Sequence, residues 1–176
     1  LDHLGLDSIQ LIGLSLGGMV ALEMACHAPH AVEKLIVAGT FASMSTAHRR
    51  GLLSEWAAAL GKQDGCLKHF KSSWPALVGA DFAASPRGQR LYQAWHAQAA
   101  QLRAHNQIRW CEGMKQYDLT GDLQRIQAAT LVLAAEFDPI SPSAEAETIC
   151  SNIGHARLAT LQGEGHVFNI ALAQAL

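Results

Sequence analysis

The stretch Ile9-Gln10-Leu11-Ile12-Gly13-Leu14-Ser15-Leu16-Gly17-Gly18 decides how the chain is read. It opens with a short apolar run suited to a buried strand and passes through a glycine-flanked turn. Residues 17–28 follow, apolar almost all round, and a helix with no polar face is expected to be buried. Pro29 closes that helix, and Lys34-Leu35-Ile36-Val37-Ala38 supplies a second strand rich in β-branched residues. Strand, helix and strand in this order imply a crossover between parallel neighbours, hence an α/β domain.

Outward from this unit the pattern changes. Residues 1–5 read as a helix end capped by Gly5. Between residues 43 and 119 there is no strand candidate, but amphipathic helical windows recur, among them residues 47–60 and 88–106. All four tryptophans (Trp56, Trp74, Trp95, Trp110) fall in this segment, which reads as a helical insertion between two strands. The tryptophans are expected to pack the insertion onto itself. The alternative is that Trp74 or Trp95 lines an acyl pocket. The sheet resumes at residues 130–135 and ends in Glu136-Phe137-Asp138-Pro139. A helix over 143–151 with Ser143 as its cap, a strand over 157–161, the loop Gly163-Glu164-Gly165-His166 and a helix from Val167 complete the reading. Three segments result: 1–42 and 119–176 belong to the sheet-bearing core, and 43–118 form the insertion.

Composition narrows the function. The chain has 176 residues, 49% hydrophobic and 16% charged, with net charge −2, which supports a folded core and excludes disordered or collagen-like classes. No basic run exceeds Arg49-Arg50, so a nucleic-acid partner is not expected. Ser15, Glu23 and three glycines interrupt the apolar stretch 9–26, so no membrane span or membrane partner is expected. The four cysteines are scattered without a CxxC pair, pointing to reduced thiols and a cytoplasmic location. The nine histidines form no metal-ligand pattern, so neither a metal nor another cofactor is expected. The first residue is Leu1, and neither end reads as a natural terminus.

The chemistry concentrates on three side chains. In Gly13-Leu14-Ser15-Leu16-Gly17 a serine sits on a sharp turn between strand and helix, its hydroxyl raised above the sheet edge. Gly13 and Gly17 are expected to supply the room for that turn. With 15 glycines, such a pattern arises by chance only about 0.08 times in this length, and the strand–helix context sharpens it further. The Leu16 amide, at the start of the helix, is a candidate oxyanion donor. A serine hydroxyl needs a base, and the base needs an orienting acid. Asp138, after the strand ending at Ala135, and His166, after the strand ending at Leu161, are placed for these roles at the carboxyl ends of parallel strands. Glu136 is a rival acid, Asp138 could be a simple turn former before Pro139, and His166 could be a simple loop residue. His155 precedes its strand and so points to the wrong edge.

Gly13-x-Ser15-x-Gly17, Asp138 in Glu-Phe-Asp-Pro and His166 in Gly-Glu-Gly-His resemble the α/β-hydrolase superfamily. The similarity is greatest to small cap-bearing members of the 3-oxoadipate enol-lactonase-like and carboxylesterase-like kind. It implies a Ser-His-Asp hydrolase that cleaves a carboxylic ester, lactone or thioester through an acyl-enzyme, with residues 43–118 as the helical cap. Acyl transfer, C–C bond hydrolysis and a non-catalytic ligand-binding member are the alternatives on the same scaffold. Serine at position 15 argues against dehalogenase chemistry, which uses aspartate there. Relatives begin with further strands and a loop carrying the second oxyanion donor. The resemblance therefore implies that this chain is an N-terminally truncated fragment, keeping the second half of the sheet plus the cap. With one donor missing, a loss of about 10²–10³ in turnover is expected.

Overall fold

The computed structural model describes residues 1–172, with side chains described through residue 170. Two compact units are present. The first comprises Leu1–Ser43 and Asp118–His166, and the second Met44–Tyr117 with residues 167–172.

The first unit is built on four parallel strands, β1 (Ile9–Leu14), β2 (Val32–Ala38), β3 (Ala129–Ala135) and β4 (Ala156–Leu161), in the spatial order β1-β2-β3-β4. The register aligns Gly13 with Val37, Val37 with Val132 and Val132 with Leu158. Helix α1 (Leu16–His27) packs on β1 and β2, and a later helix over Ser143–Asn152 packs on β3 and β4. The core lies under these helices: Leu22, Leu35, Val37, Leu123, Val132 and Ile149 are all within 1% of full burial. A short 3₁₀ turn at Asp2–Leu4 precedes β1 and ends on Gly5 at φ 63°, in the left-handed region that favours glycine.

Two expectations change here. The apolar helix after the turn is buried on one side only: Met19, Leu22 and Cys26 face the core, whereas Val20 is 62% exposed. Apolarity all round therefore does not mean burial all round. β1 lies at a sheet edge among the described residues, with Ile12 72% exposed on the face opposite the core row Gly13–Val37–Val132. Ser143 is not the cap it was expected to be. Pro142 occupies that position with extended backbone (φ −56°, ψ 154°), and its carbonyl accepts from the Glu145 amide at 2.8 Å.

The second unit is helical: α2 (Ala47–Leu60), α3 (Gly65–Val78), α4 (Ala80–Ala84), α5 (Pro86–Ala99) and α6 (Ala104–Met114). Thr46 caps α2 by accepting the Arg49 amide, and Ser85 caps α5 by accepting the Gly88 amide at 3.0 Å. The helix expected over 88–106 is two helices, because Arg103 is extended (φ −87°, ψ 114°) between them. No Gly or Pro marks that break. The packing of α6 on α2, and of α5 on α3 and α4, overrides local propensity. Trp74, 3% exposed, meets Phe70, Tyr92 and Trp95 at ring-centroid distances of 5.6–5.8 Å, so these aromatics pack the unit on itself. In the first unit the helix over Ser143–Asn152 is α7, and α8 (Phe168–Leu172) belongs to the second; the rest of the expected last helix, 173–176, lies outside the described residues. No described helix is long and apolar enough to cross a membrane.

All four cysteines are free thiols. Cys26 is fully buried, and burial, reinforced by Asp122 and Glu23, pushes its thiol up to about 11 from 9.0. In the native protein, iodoacetamide at pH 8 is expected to spare Cys26 while the half-buried Cys150 reacts. Unfolding returns Cys26 to its ordinary ionisation. Between pH 9 and about 11 the unfolded chain therefore sheds a proton that the folded one keeps, and stability falls as pH rises. Cys26→Ala should flatten that part of the stability curve, and an unchanged slope would contradict the assignment.

Candidate active site

Ser15 joins β1 to α1 with φ 53° and ψ −119°, a conformation that costs a non-glycine residue about 1–3 kcal/mol. The surroundings hold it there. Its amide donates to the Ala38 carbonyl at 2.8 Å, continuing the ladder past the end of β1. Its carbonyl accepts the Gly18 and Met19 amides at 2.9 and 3.2 Å, starting α1. Gly13 is required because a Cβ there would overlap the Gly17 carbonyl and stand 2.8 Å from the Gly18 Cα. The second small residue that the turn needs is Gly18, not Gly17. A Cβ at Gly17 would meet nothing within 4 Å, whereas one at Gly18 would press into the Thr40 side chain at 2.6–2.8 Å. Leu16 is the first residue of α1, and a first-turn amide has no acceptor within its own helix.

The structure brings Ser15, His166 and Asp138 together. The distance from Ser15 Oγ to His166 Nε2 is 2.9 Å, and from His166 Nδ1 to Asp138 Oδ2 it is 2.7 Å. A carboxylate can only accept, so Nδ1–H donates to Asp138, which leaves Nε2 to accept the Ser15 hydroxyl proton. Asp138 and His166 are 5% and 4% exposed. In that setting the hydrogen bond between them is shielded from water, and neither partner is left unsatisfied.

Asp138 does two things at once. While Oδ2 engages His166, Oδ1 accepts the amides of Ile140 and Ser141 at 2.8 and 2.9 Å, folding the Asp-Pro-Ile-Ser turn around the carboxylate. Asp138 thus shapes its own turn and bonds the imidazole at the same time. Glu136, the rival acid, is exposed and accepts the Gly163 amide at 2.8 Å. With Phe137 N–H donating to the Glu164 carbonyl at 2.9 Å, it ties the loop after β3 to the loop that carries His166. His155 lies just before β4, at the opposite strand end from His166. Among the described residues no group of three His, Cys, Asp or Glu side chains could hold a metal ion.

One residue of the site was not legible beforehand. Gly39 follows β2 with φ 50°, its amide donating to the Leu133 carbonyl at 3.0 Å. A Cβ there would stand 3.2 Å from Asp138 Oδ2 and 3.3 Å from His166 Nδ1. A glycine directly after a β-branched strand was the available signal, but nothing local says what it makes room for.

Comparisons with known proteins place the chain in a family. The model of the α/β-hydrolase fold family matches residues 1–171, and the chain belongs to that family. It is 28% identical over 179 residues to 3-oxoadipate enol-lactonase 2 of Acinetobacter baylyi, covering 99% of this chain and 63% of the relative. It is similar to a hydrolase from Pseudomonas aeruginosa at TM-score 0.84 and 28% identity, covering 99% of this chain and 63% of that one. The enol-lactonase from Burkholderia xenovorans shares the fold at TM-score 0.87 and 20% identity, with 99% and 64% covered. The chain thus spans a little under two thirds of the length of these relatives.

Gly39→Ala is expected to destabilise the protein by about 1–2 kcal/mol, from positive φ and from crowding of the Asp138–His166 pair. Gly121→Ala, at a position with open space, should cost less than half of that. Urea midpoints decide. Equal effects at the two sites would contradict the close approach at Gly39.

Proposed function

We propose that the protein is a serine hydrolase that cleaves a carboxylic ester, lactone or thioester of a small molecule through an acyl-enzyme. Residues 1–43 and 118–166 form its sheet-bearing core, and residues 44–117 its helical insertion. The observation that carries the reading is the pair of contacts Ser15 Oγ–His166 Nε2 at 2.9 Å and His166 Nδ1–Asp138 Oδ2 at 2.7 Å. Ser15 Oγ attacks the carbonyl carbon as His166 Nε2 takes its proton. The oxygen of the tetrahedral intermediate draws on the Leu16 amide at the α1 N-terminus. Collapse expels the alcohol or thiol, protonated by His166, and leaves the acyl group on Ser15. Water, deprotonated by the same imidazole, then attacks the acyl carbon and releases the acid. Asp138 holds the ring in the tautomer this needs and stabilises the imidazolium that forms.

The ester and lactone part of the substrate class is supported by the likeness to an enol-lactonase at 28% identity. The cytoplasmic setting rests on the scattered free thiols.

A fluorophosphonate probe tests the reading, because only an activated serine is phosphonylated. Labelling confined to Ser15 is expected. Ser15→Ala should abolish it, and His166→Ala and Asp138→Asn should each slow it by about 10²-fold or more. Labelling that persists in Ser15→Ala, or a wild-type protein that binds esters without being labelled, would turn the reading to a non-catalytic member of the fold.

A further inference from the structure

We infer that Thr40 and Ser141 are positioning residues, a buried hydroxyl tie that fixes the turn bearing Ser15 against the turn bearing Asp138. The inference rests on the reading of Ser15 as nucleophile.

The strand ladder ends at the Ser15 amide on the Ala38 carbonyl, the Gly39 amide on the Leu133 carbonyl and the Glu136 amide on the Leu161 carbonyl. The side chains that must meet stand beyond it, on turns that the ladder does not hold. Thr40, 3% exposed, donates from Oγ1 to the Ser15 carbonyl at 2.7 Å. Ser141, 2% exposed, donates from Oγ to the Thr40 carbonyl at 2.8 Å, and its amide donates to Asp138 Oδ1 at 2.9 Å. Asp138, Ser141, Thr40 and Ser15 are thereby linked in series, and Ser15–His166–Asp138 closes the ring from the other side.

Simple satisfaction of two buried hydroxyls would require any acceptor within reach. Here the Ser15 carbonyl already receives two helix amides, so it gains a third donor it does not need for burial. What the third bond adds is direction. The Thr40 side chain also fills the space against Gly18 where a Cβ would collide, so it abuts the first turn of α1 as well as bonding its cap. A displaced turn would lengthen the contact between Ser15 and His166. Near-attack geometry is sensitive at this scale, since a misplacement of about 1 Å can cost about 10²-fold.

The experiment reads the second-order rate of fluorophosphonate labelling at Ser15 together with the thermal midpoint. Thr40→Val removes the hydroxyl at nearly constant shape, Ser141→Ala removes its partner, and Thr40→Ser keeps the donor. Thr40→Val and Ser141→Ala are each expected to slow labelling by about 10- to 100-fold, with Thr40→Ser within about threefold of wild type. The double variant should be no slower than the worse single within about threefold, because both changes cut one chain. Ile149→Val, on the buried face of α7, is expected to lower the midpoint without changing the rate. Should Thr40→Val fail to fold, Ser141→Ala and Thr40→Ser decide by the same criteria. Wild-type rates in Thr40→Val and Ser141→Ala, or equal slowing by Ile149→Val, would overturn the tie while leaving Ser15 as nucleophile. A wild-type protein not labelled at Ser15 would instead remove the reading beneath it, and the tie with it.

Discussion

The site depends on one constrained bond: the backbone of Ser15 turned to φ 53° between a parallel strand and a helix. L-residues avoid that region, so the conformation persists only where the surroundings over-determine it. Here the sheet pulls on the Ser15 amide and the first turn of α1 pulls on its carbonyl, while Gly13 lets the Gly17 backbone close over the strand. The result is a serine side chain standing clear of the sheet at the one point where α1 begins. Relax the turn, and the hydroxyl moves away from the imidazole.

The same sheet supplies the other two groups. Because all four strands run parallel, β1, β3 and β4 end at one rim, and the loops that follow them carry Ser15, Asp138 and His166. Residues 123 and 28 positions apart in sequence thereby converge without any local sequence relation. Beyond the ladder, side chains take over: Glu136 holds the histidine loop, Asp138 Oδ1 shapes its own turn, and Gly39 leaves the space in which carboxylate and imidazole meet. The spacing of Ser15, His166 and Asp138 comes from these short links, since the strands only deliver the turns to the same neighbourhood.

The legible part of the sequence was the part written in local pattern. Strand periodicity, the glycine-flanked serine and the strand-end positions of Asp138 and His166 are all short-range signals, and the fold brings those three residues together. What was not legible depended on contacts between distant segments. Gly18 rather than Gly17 carries the packing demand because Thr40 arrives from the end of β2. The break at Arg103 follows from which helices α5 and α6 pack against, since Ala and Gln favour helix throughout that run. The exposed side of α1 at Val20 reflects what stands next to it, which composition does not encode.

The hydrogen bond between His166 and Asp138 carries the most weight, because it sets the tautomer in which the imidazole Nε2 accepts the Ser15 hydroxyl. Nitrogen-15 NMR of the imidazole of His166 measures that tautomer directly. A neutral ring protonated at Nδ1, with the preference lost in Asp138→Asn, is the predicted result. A ring protonated at Nε2, or one averaging between tautomers like a free imidazole, would contradict the account.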